Sequence, residues 1–208
     1  MGDRYAIAPS RRGVRAVVHA VRRRIQGLHE VDPWGLDPDV LAALDPLVGA
    51  RWHVTITGAT HVPLEGPMLF VANRGLGLSE PFVLARALYS ATGRRLRSAV
   101  VADVGPCPVV LRPFGGVLAD GAEVRSLLRS GEMVSIFGAR SGLRGHRLGR
   151  VDPLLLEPAI AMRLPVLPAA LRGHELGRRW RVTVGPAIDL GGNLASVVRT
   201  LAAAFREL

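Results

Sequence analysis

Gly66-Pro67-Met68-Leu69-Phe70-Val71-Ala72-Asn73 is the stretch from which the fold class of this chain is read. A Gly-Pro turn leads into five consecutive apolar residues, Met68 to Ala72, and the polar Asn73 closes the run. A run this short, with no polar alternation and a turn in front of it, predicts a strand covered on both faces, as in a parallel sheet. Upstream, His53, Thr55 and Thr57 alternate with Trp52, Val54 and Ile56, which predicts a strand over 52–57. Downstream, 81–92 reads as a helix started by Ser79 or Glu80, with Ser79 the expected N-cap. The alternation continues with strands at 99–102 and 117–119. A helix at 122–129 is closed by Gly131. A strand at 133–137, a helix at 153–163 and a strand at 165–171 follow, the last with Pro168 indicating an edge or a bulge. A strand at 180–184 and a helix at 194–208 complete the series. Strands alternating with helices predict an α/β layered fold.

The flanking sequence divides the chain into residues 1–30, residues 31–50 and a domain over 51–208. In the first part, Val14, Val17, Val18, Val21, Ile25 and Leu28 fall on one narrow helical stripe, with Arg15, His19, Arg22 and Arg23 on the other side. Such a basic amphipathic helix either lies in a membrane interface or packs on the domain with its Arg face in water. Residues 31–38 are a turn-rich connector, and 39–48 a short helix.

Composition narrows the chemistry. All 27 Lys-plus-Arg positions are Arg, so no Schiff base, lysine base or P-loop lysine is available. The formal charge of +10 favours an anionic partner: nucleic acid, an anionic membrane, or a phosphorylated or CoA-type substrate. The single Cys107 excludes an intrachain disulfide and cysteine-rich zinc sites, which fits a reducing compartment. No signal peptide and no membrane-spanning helix are read from the sequence, because the most apolar region, 98–119, is broken by Asp103, Arg112, Pro and Gly. Nucleic acid is the least favoured partner: aromatics are only 5% of the chain, and no nucleic-acid motif interrupts the α/β pattern.

Four segments in order carry a resemblance. They are 54–58 with 62–63 and 66–73; Arg112-Pro113-Phe114-Gly115-Gly116-Val117; Val134-Ser135-Ile136-Phe137; and Leu164-Pro165-Val166-Leu167-Pro168. Together they resemble the glycerolipid acyltransferase family of the 1-acyl-glycerol-3-phosphate (PlsC-like) type. The resemblance implies a single α/β domain with a mixed, mostly parallel sheet flanked by helices. It implies transfer of an acyl group from acyl-CoA or acyl carrier protein to a lysophospholipid-like acceptor, with no cofactor and no metal. It also implies a cytoplasmic protein peripheral on the inner face of the cell membrane.

The departures from the family fall on its chemistry. The family's His-x4-Asp motif, in which His deprotonates the acceptor hydroxyl and Asp orients the His, matches Asn73 to Glu80. Arg74 stands for the His and Ser79 for the Asp, with Glu80 one position later. A guanidinium has no neutral form near pH 7, so Arg74 is no general base. Ser79 as a nucleophile requires a base, and none is evident in the sequence. The family's Glu after the third block is missing; Gly138-Ala139-Arg140-Ser141-Gly142-Leu143-Arg144 stands there instead. Arg140, Ser141, Arg144 and Arg147 either hold a phosphate or form a solvated basic loop. His146 is the spare base, with Asp152 or Glu157 to orient it, while His53 and His61 read as surface or satisfied residues, and His174-Glu175 follows the fourth block. Two functions stay open: an acyltransferase, or a catalytically inactive relative that binds lipid or acyl-CoA as a regulatory or scaffold partner.

Overall fold

The computed structural model describes residues 5–6, 22, 32–75, 77–100, 111–140, 147–188 and 194–208. The element order is β1 (Tyr5–Ala6), α1 (Pro38–Arg51), β2 (His53–Thr57), β3 (Met68–Ala72), α2 (Glu80–Thr92), β4 (Leu96–Val100) and β5 (Gly116–Leu118). After these come α3 (Gly121–Arg129), β6 (Met133–Phe137), α4 (Pro153–Ala161), β7 (Val166–Arg172), β8 (Arg179–Val184) and α5 (Leu194–Glu207). One eight-stranded sheet runs β1-β2-β8-β7-β3-β6-β4-β5. Every pairing is parallel except β1–β2 and β7–β8.

β3 lies between β6 and β7 and is buried along its whole length. The two-residue period of a strand divides it between two cores. Met68, Phe70 and Ala72 pack with Val83, Leu84 and Leu88 of α2. Leu69 and Val71 face the other way, into a core with Leu127 of α3, Leu156 of α4 and Leu201 of α5. The two faces follow from the order of the strands. The crossover from β3 through α2 to β4 runs toward the β5 edge, and those through α3 and α4 run back. Right-handed crossovers travelling in opposite directions place their helices on opposite faces. The loops leaving the neighbours β3 and β6 therefore diverge at the carboxyl edge, the topological position at which sheets of this kind take ligands.

Three elements differ from their sequence readings. β4 starts at Leu96, because Leu96–Ser98 pair in register with Met133–Ser135. Arg97 hid this extension: it sits inside the strand at 3% exposure, paired with Asp32 and, at 3.4 Å, with Glu132. Asp32 thereby ties the turn-rich 31–38 segment to the sheet. Burial pushes the Asp32 carboxyl up, but the Arg97 hydrogen bond and charge, with the backbone N–H groups of Leu36 and Trp34, outweigh it and hold the group below its ordinary value. Pro168 is the second difference. It lies in β7, an interior strand, and pairs with Val71. The missing N–H costs little there, because the β8 ladder ends at Ala169 and the Pro168 carbonyl still accepts from Gly185 N at 2.9 Å. Third, α1 is longer than 39–48: Asp37 caps it by accepting from Asp39 N and Val40 N, with Pro38 in the first turn. Apart from Arg22, which is helical and exposed, the amphipathic helix at 11–28 lies outside the described residues, as does the strand reading beyond Val100.

Candidate functional site at the carboxyl edge

β3 delivers Asn73 and Arg74 to the carboxyl edge, and both are buried. Asn73 fixes the neighbouring strand by a two-way amide pairing. Its Nδ2 donates to Leu171 O at 2.9 Å and its Oδ1 accepts from Leu171 N at 2.6 Å. This satisfies all the groups involved at the point where β3 and β7 part. The chain then turns into α2. Glu80, in the first turn and 4% exposed, accepts from Gly75 N at 3.1 Å through Oε1. A carboxylate at a helix N-terminus is also favoured by the helix dipole. Arg74 is likewise 4% exposed, which places a permanent positive charge inside the turn.

Ser79 does not cap α2. Its backbone is helical, at φ −77° and ψ −27°, and its side chain makes no cap bond. It turns instead to a residue that sequence reasoning named without a role. Ser79 Oγ donates to Glu175 Oε1 at 2.5 Å, and Ser79 N donates to Glu175 Oε2 at 3.3 Å. The carboxylate is pressed against the loop so closely that a Cβ on Gly77 would lie 1.9 Å from Oε2, and a side chain there would have to push Glu175 aside. Glu175 belongs to the β7–β8 loop. That loop meets the β3–α2 turn because β7 pairs with β3 in parallel, bringing their carboxyl ends together. The only sequence signal was the adjacency of Glu175 to the fourth block; the strand order needed to use it is not written locally. The same loop is tied to α1, since Arg51 Nη2 donates to Glu175 O at 2.6 Å and Nη1 to Gly177 O at 2.9 Å. His174, next to Glu175, is exposed, and its Nδ1 accepts from Leu176 N at 3.2 Å.

The phosphate-binding candidates are only partly placed. Arg140, three residues beyond β6, is exposed, and so is Arg147. Ser141, Arg144 and His146 lie outside the described residues. The groups considered for orienting His146 are engaged elsewhere. Asp152 caps α4 by accepting from Leu154 N at 3.0 Å, and Glu157 pairs with Arg125. His61 is satisfied by Val184 O at 2.9 Å, and His53 is exposed on β2. Near the same edge, Arg172 of β7 stands directly opposite Arg181 of β8, with Arg179 two residues along, and all three are exposed.

The layout of this sheet and its flanking helices is similar to that of a solved enzyme. The fold is that of a known acyltransferase. The crystal structure of the 1-acyl-sn-glycerophosphate (LPA) acyltransferase PlsC from Thermotoga maritima superposes with a TM-score of 0.54 and 17% identity, covering 74% of this chain and 71% of that one. No family model matches the chain. By sequence it is 28% identical over 178 residues to uncharacterized proteins of Mycobacterium bovis and Mycobacterium tuberculosis, covering 76% of this chain. The chain spans about half the length of these curated relatives, 49%. Among the described residues, no helix is long and apolar enough to cross a membrane.

Proposed function

We propose that this chain is an acyltransferase-fold protein that binds a lysophospholipid-like or acyl-carrier ligand at an anionic membrane surface and has lost histidine-dependent acyl transfer. The observation that supports the reading is Arg74, a buried residue that the sequence resemblance aligns with the general-base position of the His-x4-Asp motif. The acid position is compromised as well, since Ser79 is bound to Glu175. General acid–base catalysis contributes roughly 10²–10⁴-fold, and that is the loss to be expected from an exchange of His for Arg. Binding has support of a different kind. Arg140, Arg172 and Arg181 are exposed at or near the carboxyl edge, on a chain of net charge +10, and guanidinium forks suit phosphate oxygens.

One observation favours a second reading, in which transfer survives on a rebuilt site. Ser79 Oγ and Glu175 Oε1 form a hydroxyl–carboxylate pair, which is a nucleophile with a base in reach. Against it, Ser79 is 1% exposed and both Glu175 oxygens are engaged.

A single experiment separates the two. The full chain is mixed with acyl-CoAs and lysophospholipids on anionic vesicles, and free thiol, acylated lipid and vesicle binding are followed together. The first reading expects salt-sensitive binding, weakened by Arg140→Ala and Arg172→Ala, with no thiol release above background. Acyl transfer by the unchanged chain that is lost in Glu175→Gln, Glu80→Ala or His146→Ala overturns it in favour of a rebuilt site.

A further inference from the structure

Among the described residues, α3, α4 and α5 leave part of their side of the sheet open. Their core takes residues from β3, β4, β5, β6 and β7 but none from β2 or β8. Along β8, Trp180, Val182 and Val184 pack into the opposite core, so Arg179 and Arg181 share the open face. β2 does the same, with Val54 and Ile56 inward and His53, Thr55 and Thr57 outward. The register then assembles this face. Arg181 lies between Thr55 of β2 and Arg172 of β7, and Arg179 lies beside His53. Arg172, Arg179, Arg181 and His53 are all exposed.

Three guanidinium groups thus stand together with no acid among them. The outward positions of β2 and β8 are His, Thr or Arg throughout. Arg172, Arg179 and Arg181 have no hydrogen bond or ion pair among the described residues. Arg86, Arg97, Arg112 and Arg125 differ, because each meets a carboxylate within the fold. Glu175, in the loop between β7 and β8, is committed to Ser79 and does not answer them. Like charges placed directly opposite each other on paired strands cost stability, which an anion between them would recover.

The spacing selects the anion. Directly opposed residues carry Cβ atoms about 5 Å apart, so one tetrahedral anion fits between Arg172 and Arg181. Arg179 stands one pleat away, roughly 7 Å along β8, and is reached by a second group linked to the first. We infer that the open face of β7, β8 and β2 binds a ligand with two or more linked phosphoryl groups, one held between Arg172 and Arg181 and the next on Arg179, with His53 beside it. Guanidinium forks match phosphate oxygens bidentately. The exposed side chains of this face are polar, so it offers a hydrocarbon chain nothing to pack on. The site goes beyond the proposed function: it needs no acyl group, and it lies on the sheet face opposite α2 and the Ser79–Glu80 turn.

The test is calorimetric titration of the full chain, at low salt and without lipid, with pyrophosphate, triphosphate, ADP, orthophosphate and sulfate. Pyrophosphate and triphosphate should bind saturably near one equivalent, about tenfold or more tighter than orthophosphate or sulfate. Arg179→Gln and Arg181→Gln should each weaken pyrophosphate by about tenfold. Arg199→Gln, which removes the same charge from an exposed position on α5, should leave it unchanged. Circular dichroism confirms that the three variants fold. ADP bound as tightly as pyrophosphate would identify the ligand as a diphosphate ester, and weaker ADP binding as a free oligophosphate; the inference holds in both cases. No saturable binding, no preference over orthophosphate, or the same loss in Arg199→Gln as in Arg181→Gln would each overturn it, the last by leaving the net charge of +10 as the whole cause. These titrations contain no thioester and no vesicle, so their outcome is separate from acyl transfer and membrane binding.

Discussion

Glu175 accepts from two groups of one residue, the hydroxyl and the backbone N–H of Ser79. Removing the carboxylate leaves both donors behind, so Glu175→Ala should cost roughly 1–3 kcal/mol in urea unfolding, the range for orphaned buried polar groups. Restoring the family's acid by Ser79→Asp should be worse at neutral pH, because two carboxylates would then share one site. That penalty should shrink as pH falls toward 5, whereas the Glu175→Ala penalty should not. Asp32 supplies the opposite pH signature. Its carboxyl is held below its ordinary value in the folded chain, so the stability it contributes is present above the unfolded-state pKa of ~3.9 and is lost as pH falls through the lower folded value. Asp32→Asn should therefore flatten the acid side of the stability–pH curve. Asp32→Ala should also weaken the chain at pH 7 by leaving Arg97 short of a partner, toward the low end of ~3–5 kcal/mol because Glu132 remains.

At the scale of elements, the readings that succeeded rested on local pattern. The apolar run 68–72 and the strand 133–137 are found where the sequence places them. The failures share a cause, which is that a distant partner decided the outcome. Arg97 looked like a break and is a strand residue because Asp32 and Glu132 neutralise it. Pro168 looked like an edge residue and lies inside the sheet because β8 ends beside it. Ser79 looked like a cap and is the partner of Glu175, which lies 96 residues away. Arg74, Ser79 and Glu80, which the sequence groups, are all buried at the β3–α2 turn; the residue that meets Ser79 there comes from a loop that only the strand order brings near. The β7–β8 hairpin supports a further prediction. Arg172 and Arg181 are directly opposed like charges, a destabilising cross-strand pair. Arg181→Glu should raise stability by about 0.2–1 kcal/mol while lowering retention on anionic vesicles. A gain in stability with unchanged vesicle binding would remove this pair from the proposed docking surface.

For the molecule as a whole, the charge of +10 is carried entirely by arginine, so raising the pH from 6 to 9 should leave vesicle binding almost unchanged, apart from the histidines. Salt should act strongly instead, since the Debye length falls from about 10 Å at 0.1 M to about 3 Å at 1 M. Co-sedimentation with anionic vesicles across that range is the direct measurement. Binding that persists at 1 M salt would assign the contact to apolar insertion rather than to charge.

The position of β8 bears on how the chain is made. β2 ends at Thr57, yet its parallel partner begins at Arg179, with the register joining His53 to Arg179 and Thr57 to Thr183. During synthesis from the amino terminus, β2 is complete long before the strand that covers it, and its edge waits with unpaired N–H and C=O groups. At ~5–20 residues per second the wait lasts on the order of ten seconds. The alternation of Thr and His with Val and Ile along β2 makes it a template for other chains during that interval. Any truncation upstream of Arg179 would make the interval permanent, converting a transient edge into a standing invitation to intermolecular pairing.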